Sequence, residues 1–330
     1  MSIKNTYITG TGCALPEKVL TNEELSKRVE TSDEWIRSRT GIQERRIADE
    51  NTATSDLSTE AAKKALEAAG LKPENLEAII VATCTPDHLF PSVGCLVQRA
   101  LGANKAIAFD ISAACSGFVY ALTVAKSLLD AGTYNNVLIV GADVLSKFTD
   151  WDDRSTCVLF GDGAGAMVLE KKDLNDAPTI LAVDLGADGS ATDILKIPGG
   201  GSRNPILKSG FNTHPPYIHM DGKEVYRHAV TRMIETAERA LAKVNKKSTD
   251  LALLIPHQAN LRIIESIAKR MGLPMEKVFL NIHKYGNMSA ATTIIALDEA
   301  RRSGRVKKGD LVELIAFGAG LTWGAILIQW

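Results

Sequence analysis

The two halves of this chain repeat one pattern of segments in the same order, and this duplication restricts the folds that it can adopt. The matching segments are residues 7–10 with 181–186, 59–83 with 234–255, and 160–163 with 317–320. Short structural repeats normally occur in more than two copies, so one repetition across 330 residues indicates a duplicated unit. We therefore expect two related halves, residues 1–175 and 176–330, that pack as one body with equivalent turns facing a shared cleft.

Strands and helices are predicted to alternate within each half, which is typical of a layered α/β architecture. In the first half, the hydrophobic pattern predicts helices over residues 54–69, 92–101 and from 115 onward, and strands over 6–11, 76–83, 106–111, 137–140, 157–160 and 166–170. The last two strands are expected to flank a turn at residues 161–165. In the second half, residues 278–281 are predicted to form a strand. Residues 199–216 have no counterpart and are rich in Gly and Pro, so we expect an inserted loop or flap there.

Composition excludes several classes of protein. The formal net charge is -1 and 45% of the residues are hydrophobic, so we expect a substantial core and no overall field that would attract nucleic acid. No apolar run reaches membrane-spanning length, and the N-terminus lacks the apolar region of a signal peptide. The five cysteines form no C-x-x-C pair, which argues against a disulfide framework or a zinc site and favours the reducing cytoplasm.

Cys115 is a candidate nucleophile. It lies where a predicted strand ends in the small residues Ser112-Ala113-Ala114-Cys115-Ser116-Gly117 and a helical pattern begins. The positive end of a helix stabilises a thiolate, so a lowered pKa is expected for this cysteine. A cysteine that only packs at a tight junction would leave the same pattern. Whether Cys115 is a nucleophile or a packing residue depends on whether the chain supplies polar partners for it.

Two polar residues meet this requirement. His257 follows the buried strand predicted over residues 251–255, at the end where ligands of open α/β sheets bind. Asn287 lies in the turn that corresponds to the Cys115 turn, and its amide can donate a hydrogen bond without titrating. Taken singly, a structural histidine and a helix-capping asparagine explain these residues as well. With Cys115 they supply a nucleophile and two polar partners.

Glycine-rich segments raise the alternative of a nucleotide site. Residues 161–166 fit the G-x-G-x-x-A pattern, but a strand-like segment follows where a helix N-terminus would have to hold the pyrophosphate. Close approach of the backbone explains these glycines better, and the N–H of Gly318 is available to a developing oxyanion. Arg39 and Arg154 each lie near a tryptophan in the sequence, and such pairs can stack on an adenine.

Taken together, these motifs resemble β-ketoacyl-[acyl carrier protein] synthase III, the family of condensing enzymes that initiates type II fatty acid synthesis. The resemblance covers essentially the whole chain and rests on residues 31–36 (Thr-Ser-Asp-Glu-Trp-Ile), 39–42 (Arg-Thr-Gly-Ile), 114–117 (Ala-Cys-Ser-Gly), 160–165 (Phe-Gly-Asp-Gly-Ala-Gly), 256–260 (Pro-His-Gln-Ala-Asn), 286–287 (Gly-Asn) and 317–318 (Phe-Gly). It implies an acyltransferase with the thiolase fold, a five-layered α-β-α-β-α body of two duplicated halves, in a homodimer.

The resemblance assigns Cys115, His257 and Asn287 as the catalytic residues. Cys115 would take a short acyl group, with acetyl favoured, from acyl-CoA. His257 and Asn287 would bind the thioester carbonyl of malonyl-acyl carrier protein and stabilise the enolate formed on decarboxylation, which then attacks the acyl-cysteine. The N–H groups of Cys115 and Gly318 would form the oxyanion hole.

The same resemblance implies how the substrates bind. It assigns Thr31, Trp35, Arg39 and Arg154 to the CoA site, Arg227 and Arg262 to the surface that receives the acidic acyl carrier protein, and Phe90 to closure of the acyl pocket of the neighbouring subunit. Coenzyme A thioesters and the carrier protein are substrates, so no metal and no other cofactor are implied.

Three alternatives stay open at the level of the sequence. A specialised relative could use the same chemistry to prime polyketide or quinolone-type synthesis, or to transfer acyl groups. A dinucleotide-binding oxidoreductase could use the glycine turns. A non-catalytic scaffold could bind the carrier protein, but it would not need Cys115, His257 and Asn287.

Overall fold

The computed structural model describes residues 5–172, 177–206 and 215–330 of the chain. The strands in these ranges are β1 (Asn5–Ala14), β2 (Val19–Thr21), β3 (Glu44–Arg46), β4 (Ala78–Ala82), β5 (Ile107–Ile111), β6 (Asn136–Val144), β7 (Asp162–Lys172), β8 (Thr179–Ala187), β9 (Leu195–Lys196), β10 (His219–Met220), β11 (Leu253–Pro256), β12 (Leu311–Gly318) and β13 (Thr322–Gln329). The helices are α1 (Asn22–Leu25), α2 (Asp33–Thr40), α3 (Thr54–Ala69), α4 (Val93–Leu101), α5 (Gly117–Asp130), α6 (Arg154–Cys157), α7 (Gly222–Ala242), α8 (Leu261–Arg270), α9 (Ile282–Tyr285) and α10 (Ala291–Arg302).

The strand order shows the same ladder twice. Strands β1, β7, β6, β4 and β5 follow one another across the first half, and β8, β13, β12 and β11 do so across the second. In both ladders the first pairs are antiparallel, while β4 with β6 and β11 with β12 are parallel. Val278 pairs with Leu254 at the position that β5 occupies in the first ladder. One residue pair, Tyr7 with Thr179, joins the two ladders.

The helices complete five layers. Helices α5 and α10 contact strands of both ladders and form the central layer. Helices α3 and α4 cover the outer face of the first ladder, and α7 covers the outer face of the second with α8 packed against it. Three clusters of buried apolar side chains fill the spaces between helices and strands, and the central cluster lies on both sides of the layer formed by α5 and α10. Burial of apolar surface, which contributes about 25 cal/mol per Å², therefore holds all five layers together.

Helix α3 illustrates how the sequence determines this packing. Its bounds agree with the prediction, and it ends at Gly70, whose φ of 63° lies in the left-handed region that favours glycine. Its buried face includes Ala61 and Ala65. These small residues allow close approach of β1, because a Cβ at Gly12 would lie only 2.6 Å from the nitrogen of Ala65.

Three predictions of secondary structure are wrong. Residues 157–160 do not form a strand, since α6 ends at Cys157. The glycines of residues 161–165 do not form a turn, because β7 runs without a break from Asp162. They instead let α10 lie flat on the strand: a Cβ at Gly165 would lie 2.5 Å from Cγ2 of Ile294. Residues 278–281 contribute a single bridge to the second ladder and no strand.

Two predictions fall on parts of the chain that are not described. The predicted boundary between the halves, at residues 175 and 176, lies outside the described residues. So do residues 207–214 of the predicted loop at 199–216. The described flanks of this loop include β9 and β10, which pair with each other through His219 with Lys196 and Met220 with Leu195.

Candidate active site

A cavity of about 580 Å³ brings together the three residues that the sequence singles out, Cys115, His257 and Asn287. The apolar part of its lining includes Leu145, Leu159 and Phe160 from the first half and Leu195, Ile218, Met220 and Phe317 from the second. Its polar lining residues include Ser289 besides Cys115, His257 and Asn287. The cavity therefore suits a ligand with an apolar tail and one reacting polar centre.

Cys115 lies in a tight turn of residues 114–116 that leads into α5. Ala114 has a φ of 45°, and Ser289, which precedes α10, has a φ of 48°. Left-handed backbone costs a residue with a Cβ roughly 1–2 kcal/mol, so both central helices start with the same strained turn. Gly318 lies against the first of these turns, because a Cβ there would be 2.6 Å from the nitrogen of Cys115. The two backbone segments proposed for the oxyanion hole are therefore neighbours.

Burial dominates the chemistry of the Cys115 thiol. Desolvation raises the pKa of Cys115 to about 12; the Ser289 side chain lowers this pKa by hydrogen bonding, and the charge of Asp143 raises it. The expected lowering of the pKa at a helix N-terminus is therefore wrong for this chain. The loss of hydration on burial is the largest of the causes that set this pKa.

The reactivity of Cys115 should therefore rise steeply with pH. Because the pKa of this thiol is raised to about 12, the thiolate fraction increases about tenfold per pH unit from pH 7 to 10. We expect the rate of alkylation by iodoacetamide to follow the same slope, measured on the Cys115 peptide by mass spectrometry. Free cysteine, with a pKa near 8.5, serves as the reference and levels off above about pH 9. An alkylation rate of Cys115 that stops rising below pH 8 would contradict the role of burial in raising its pKa.

Asp143, at the end of β6, anchors the turns around the nucleophile. Its Oδ1 accepts hydrogen bonds from the hydroxyls of Thr83 and Thr85, at 3.0 and 2.9 Å, and from the backbone nitrogen of Cys84, at 2.8 Å. Its Oδ2 accepts one from the nitrogen of Ala290, at 3.3 Å. This buried carboxylate therefore links the end of β4 to the N-terminus of α10.

His257 follows β11, as predicted, and extends the parallel ladder. Its backbone nitrogen donates to the oxygen of Ile315 at 2.8 Å, and its side chain is buried. Desolvation lowers the pKa of His257 to about 3, so the imidazole is neutral at physiological pH. Nδ1 lies 2.6 Å from Oγ1 of Thr292 in the first turn of α10.

Asn287 is held at both its backbone and its side chain. Its nitrogen donates to the oxygen of Leu159 at 2.9 Å, and its oxygen accepts from the nitrogen of Gly161 at 3.0 Å. Its side-chain Oδ1 accepts from the nitrogen of Ser289 at 2.9 Å. This last bond fixes the orientation of the amide and leaves its NH₂ group to donate into the cavity.

The residues predicted to bind CoA lie apart from the lining of this cavity. The guanidinium carbon of Arg154 is 4.9 Å from the centre of the Trp35 ring, and that of Arg39 is 6.0 Å from it. Arg154 also donates to the oxygen of Glu30 at 2.9 Å. The Thr31 hydroxyl is buried without a hydrogen-bond partner. A stacking group and hydrogen-bonding groups thus occur together outside the cavity.

Arg227 and Arg262 are exposed residues next to the cavity lining. They lie in the N-terminal parts of α7 and α8, beside the lining residues Tyr226 and Ile263. The Tyr226 hydroxyl lies 2.6 Å from that of Ser266, which ties the two helices together. The two arginines therefore form a basic surface beside the cavity, on which Arg227 is paired with Glu224 at 2.7 Å.

Phe90 is the predicted site residue that is most clearly separate from the cavity. Its side chain is 85% exposed, and that of the adjacent Leu89 is 84% exposed. Neither belongs to the lining. Two large apolar side chains side by side in solvent indicate a contact surface.

Sequence reasoning missed the residues that orient the three central side chains. Ser289 links Asn287 to Cys115, Thr292 contacts His257, and Asp143 ties the turns together. A sequence signal existed for Ser289, since it lies in the turn equivalent to the one before Cys115. Buried hydroxyls such as that of Thr292 have no such signal, because threonine is common within helices that pack in a core.

Among the described residues, there is no group of three or more His, Cys, Asp or Glu side chains that could hold a metal ion. In the same part of the chain, no helix has the length and apolar character needed to cross a bilayer.

Comparison with known proteins places this chain in a family. Residues 109–189 match the family model of 3-oxoacyl-[acyl-carrier-protein (ACP)] synthase III, and residues 241–330 match that of its C-terminal part. The β-ketoacyl-[acyl-carrier-protein] synthase III of Natranaerobius thermophilus is 51% identical over 329 residues, which cover 99% of this chain and 100% of the relative. The chain belongs to the 3-oxoacyl-[acyl-carrier-protein] synthase III family.

Solved structures of synthase III agree with this membership. The 3-oxoacyl-[acyl-carrier-protein] synthase III of Aquifex aeolicus has a TM-score of 0.90 and 50% sequence identity, and the match covers 99% of this chain and 100% of that one. A priming β-ketosynthase from the R1128 polyketide pathway has a TM-score of 0.92 but only 34% identity, over 99% of this chain and 96% of that one. The predicted thiolase fold and the class of condensing acyltransferase are confirmed.

Proposed function

We propose that this synthase III joins a short acyl group, with acetyl favoured, to malonyl-acyl carrier protein and so forms a β-ketoacyl-acyl carrier protein. The reaction initiates type II fatty acid synthesis. The observation that carries the proposal is the meeting of Cys115, His257 and Asn287 in one largely apolar cavity. No cofactor is needed, and we expect the enzyme to work in the cytoplasm.

The first half-reaction transfers the acyl group to Cys115. The sulfur attacks the carbonyl of acyl-CoA, the bond from that carbonyl to the CoA sulfur breaks, and CoA leaves as a thiol. The proton that Cys115 gives up balances the one that CoA gains, so the exchange is neutral overall. The N–H groups of Cys115 and Gly318, which belong to neighbouring backbone segments, would stabilise the tetrahedral oxyanion. The Ser289 side chain favours the thiolate by hydrogen bonding.

The second half-reaction forms the carbon–carbon bond. The malonyl thioester loses CO₂, and the electron pair of the broken bond passes to the carbonyl oxygen as an enolate. The Asn287 amide donates to this oxygen, and neutral His257 lies in the same cavity. The enolate carbon then attacks the acyl-cysteine, and the Cys115 sulfur leaves and is protonated.

Mass spectrometry of the intact protein tests the proposal. The protein is mixed with acetyl-, propionyl-, isobutyryl- and octanoyl-CoA, and the acyl adduct is then mapped to a cysteine. We expect an acetyl adduct on Cys115 that disappears when malonyl-acyl carrier protein is added, together with an acetoacetyl product. A long or branched adduct that passes to another acceptor would favour the specialised relative, which the R1128 neighbour represents at lower identity.

Trp35 is expected to contribute to CoA affinity through adenine stacking. Replacement by alanine removes the ring that Arg154 and Arg39 approach. Stacking on an aromatic ring is worth roughly 1–3 kcal/mol, so the KM for acetyl-CoA should rise about 5–150-fold while kcat changes little. Acetyl-pantetheine, which lacks the adenine, is the control and should be used equally well by both proteins. An equal loss with both substrates would contradict adenine binding at Trp35.

The arginines beside the cavity would receive the carrier protein. Arg227 and Arg262 are exposed, and they flank lining residues on two adjoining helices. The net charge of -1 provides no general attraction, so this local basic surface would provide it.

A homodimer would complete the acyl pocket. Strand β5 lies at the free end of the sheet order, with Ile107 exposed, and the exposed Phe90 belongs to the same edge of the molecule through the contact of α4 with β5. Pairing of two such edges would cover the unpaired strand and bring Phe90 to the partner's cavity. Each half would keep its own role, with the nucleophile in residues 1–175 and its two partners in residues 176–330.

A further inference from the structure

Thr292 is the side chain that hydrogen-bonds to the ring of His257. Its Oγ1 lies 2.6 Å from His257 Nδ1 and 3.0 Å from the carbonyl oxygen of Ser289. Thr292 and His257 are 0% and 4% exposed, so solvent does not compete at this contact. One hydroxyl hydrogen thus faces two acceptors. Which of the two groups accepts this hydrogen determines which nitrogen of the neutral imidazole carries the proton.

The distances favour donation to the ring. Oγ1 of Thr292 lies closer to Nδ1 of His257, at 2.6 Å, than to the carbonyl oxygen of Ser289, at 3.0 Å. The shorter contact favours the ring nitrogen as the acceptor of the hydroxyl hydrogen. The Ser289 carbonyl already accepts the backbone N–H of Thr292 at 3.2 Å, so it is satisfied without the hydroxyl.

We propose that Thr292 is a positioning residue whose hydroxyl donates to Nδ1 of His257 and thereby holds the imidazole proton on Nε2. Nε2 is on the opposite edge of the ring from Thr292, and His257 belongs to the cavity lining. The cavity then presents two N–H donors, one from this ring and one from the Asn287 amide.

The consequence for the reaction rests on the proposed function. Decarboxylation moves an electron pair onto the thioester oxygen and transfers no proton, so this oxygen needs donors and not a base. An imidazole protonated on Nδ1 would instead direct a lone pair at the enolate oxygen and repel it. Loss of the Thr292 hydroxyl should therefore slow decarboxylation and spare the acylation of Cys115.

Two variants of Thr292 separate positioning from packing. Thr292→Val keeps the shape of the side chain and removes the donor, and Thr292→Ser restores a donor. We expect malonyl-acyl carrier protein decarboxylation to fall about tenfold or more in Thr292→Val and to return to within about threefold of the wild type in Thr292→Ser. Single-turnover acylation of Cys115 by acetyl-CoA should stay within about twofold of the wild type in both.

Thr293→Val is the matched control. Thr293 is the next residue of α10 and is also buried, but its hydroxyl has no hydrogen-bond partner. The same change of chemistry there should leave both half-reactions unchanged. Equal losses of decarboxylation and acylation in Thr292→Val, or the same loss in Thr293→Val, would overturn the positioning role.

The tautomer itself is read by nuclear magnetic resonance on protein labelled with ¹⁵N and ¹³C in histidine. The His257 signals are assigned by their absence from the spectrum of His257→Gln. We expect one neutral tautomer with the proton on Nε2 in the wild type and a mixture in Thr292→Val. A wild-type proton on Nδ1 would refute the proposal even if Thr292→Val fails to fold. This measurement needs no turnover, so its outcome is independent of the proposed function.

Discussion

Replacement of Cys115 by serine should abolish the acyl-enzyme and lower condensation by roughly 10⁴-fold or more. A serine hydroxyl is a far weaker nucleophile than a thiol unless a base activates it, and His257 is too deeply buried to be a strong base. Decarboxylation of malonyl-acyl carrier protein should persist, because the donors of His257 and Asn287 remain in place. The two activities are measured separately, as acetyl adduct by intact mass and as CO₂ release.

The other cysteines provide matched controls for this variant. Cys84 lines the same cavity, and its sulfur lies 3.9 Å from the Ser289 hydroxyl. Cys95 is exposed and lies outside the cavity. Cys95→Ser should keep full acylation. An acetyl adduct that survives in Cys115→Ser and maps to Cys84 would show that the nucleophile has been assigned to the wrong thiol.

Gly318→Ala should also slow acylation strongly, although it changes no polar group. The added Cβ would lie 2.6 Å from the nitrogen of Cys115 and 3.1 Å from that of Ser116. Both neighbours are backbone, so either the nucleophile turn or the end of β12 must move. Loss of one oxyanion-hole donor lowers kcat about 10²–10³-fold, and we expect a loss of that size in the single-turnover acylation of Cys115.

Gly189→Ala is the control for this variant. A Cβ at Gly189 would meet nothing within 4 Å, so the same substitution there should leave acylation and the melting temperature unchanged. Overpacking at Gly318 costs typically 1–3 kcal/mol, and the melting temperature of Gly318→Ala shows whether the fold survives it. Acylation within twofold of the wild type in a folded Gly318→Ala protein would show that the close approach of the two turns does not matter.

Much of the fold follows from the sequence because the duplication leaves few choices. Helix α3 has the predicted bounds, and the strands that position Cys115 and His257 lie where the hydrophobic pattern places them. Buried strands and amphipathic helices are determined largely by local periodicity, which a sequence displays directly. Cys115 and His257 stood out for the same reason, since each follows a strand whose pattern is clear, whereas Asn287 was singled out through the repeat although the strand predicted before it does not form.

The failures have one physical origin, which is contact between distant segments. The sequence pattern predicts a turn at Gly163 and Gly165. In the structure, side chains of Met288 and Ile294 from the other half leave no room for a Cβ at these two positions. The position of Cys115 at a helix N-terminus predicts a thiol with a lowered pKa, but burial raises the pKa of this thiol to about 12. The local sequence around a residue does not show how far distant segments exclude water from its side chain in the folded protein.

The junction of the two central helices also has a consequence for how enzymes of this shape can diverge. Its parts are backbone and small side chains: a Cβ at Gly141 would lie 2.6 Å from the oxygen of Ala290, and one at Gly117 would lie 3.2 Å from the Cβ of Ala82. A larger side chain at Gly141 would therefore displace the start of α10. Side chains such as Leu195 and Met220, which line the apolar part of the cavity, lie outside this junction, so we expect changes in the size of the accepted acyl chain to arise there. The reaction and the choice of substrate can then evolve independently, since they depend on separate parts of the molecule.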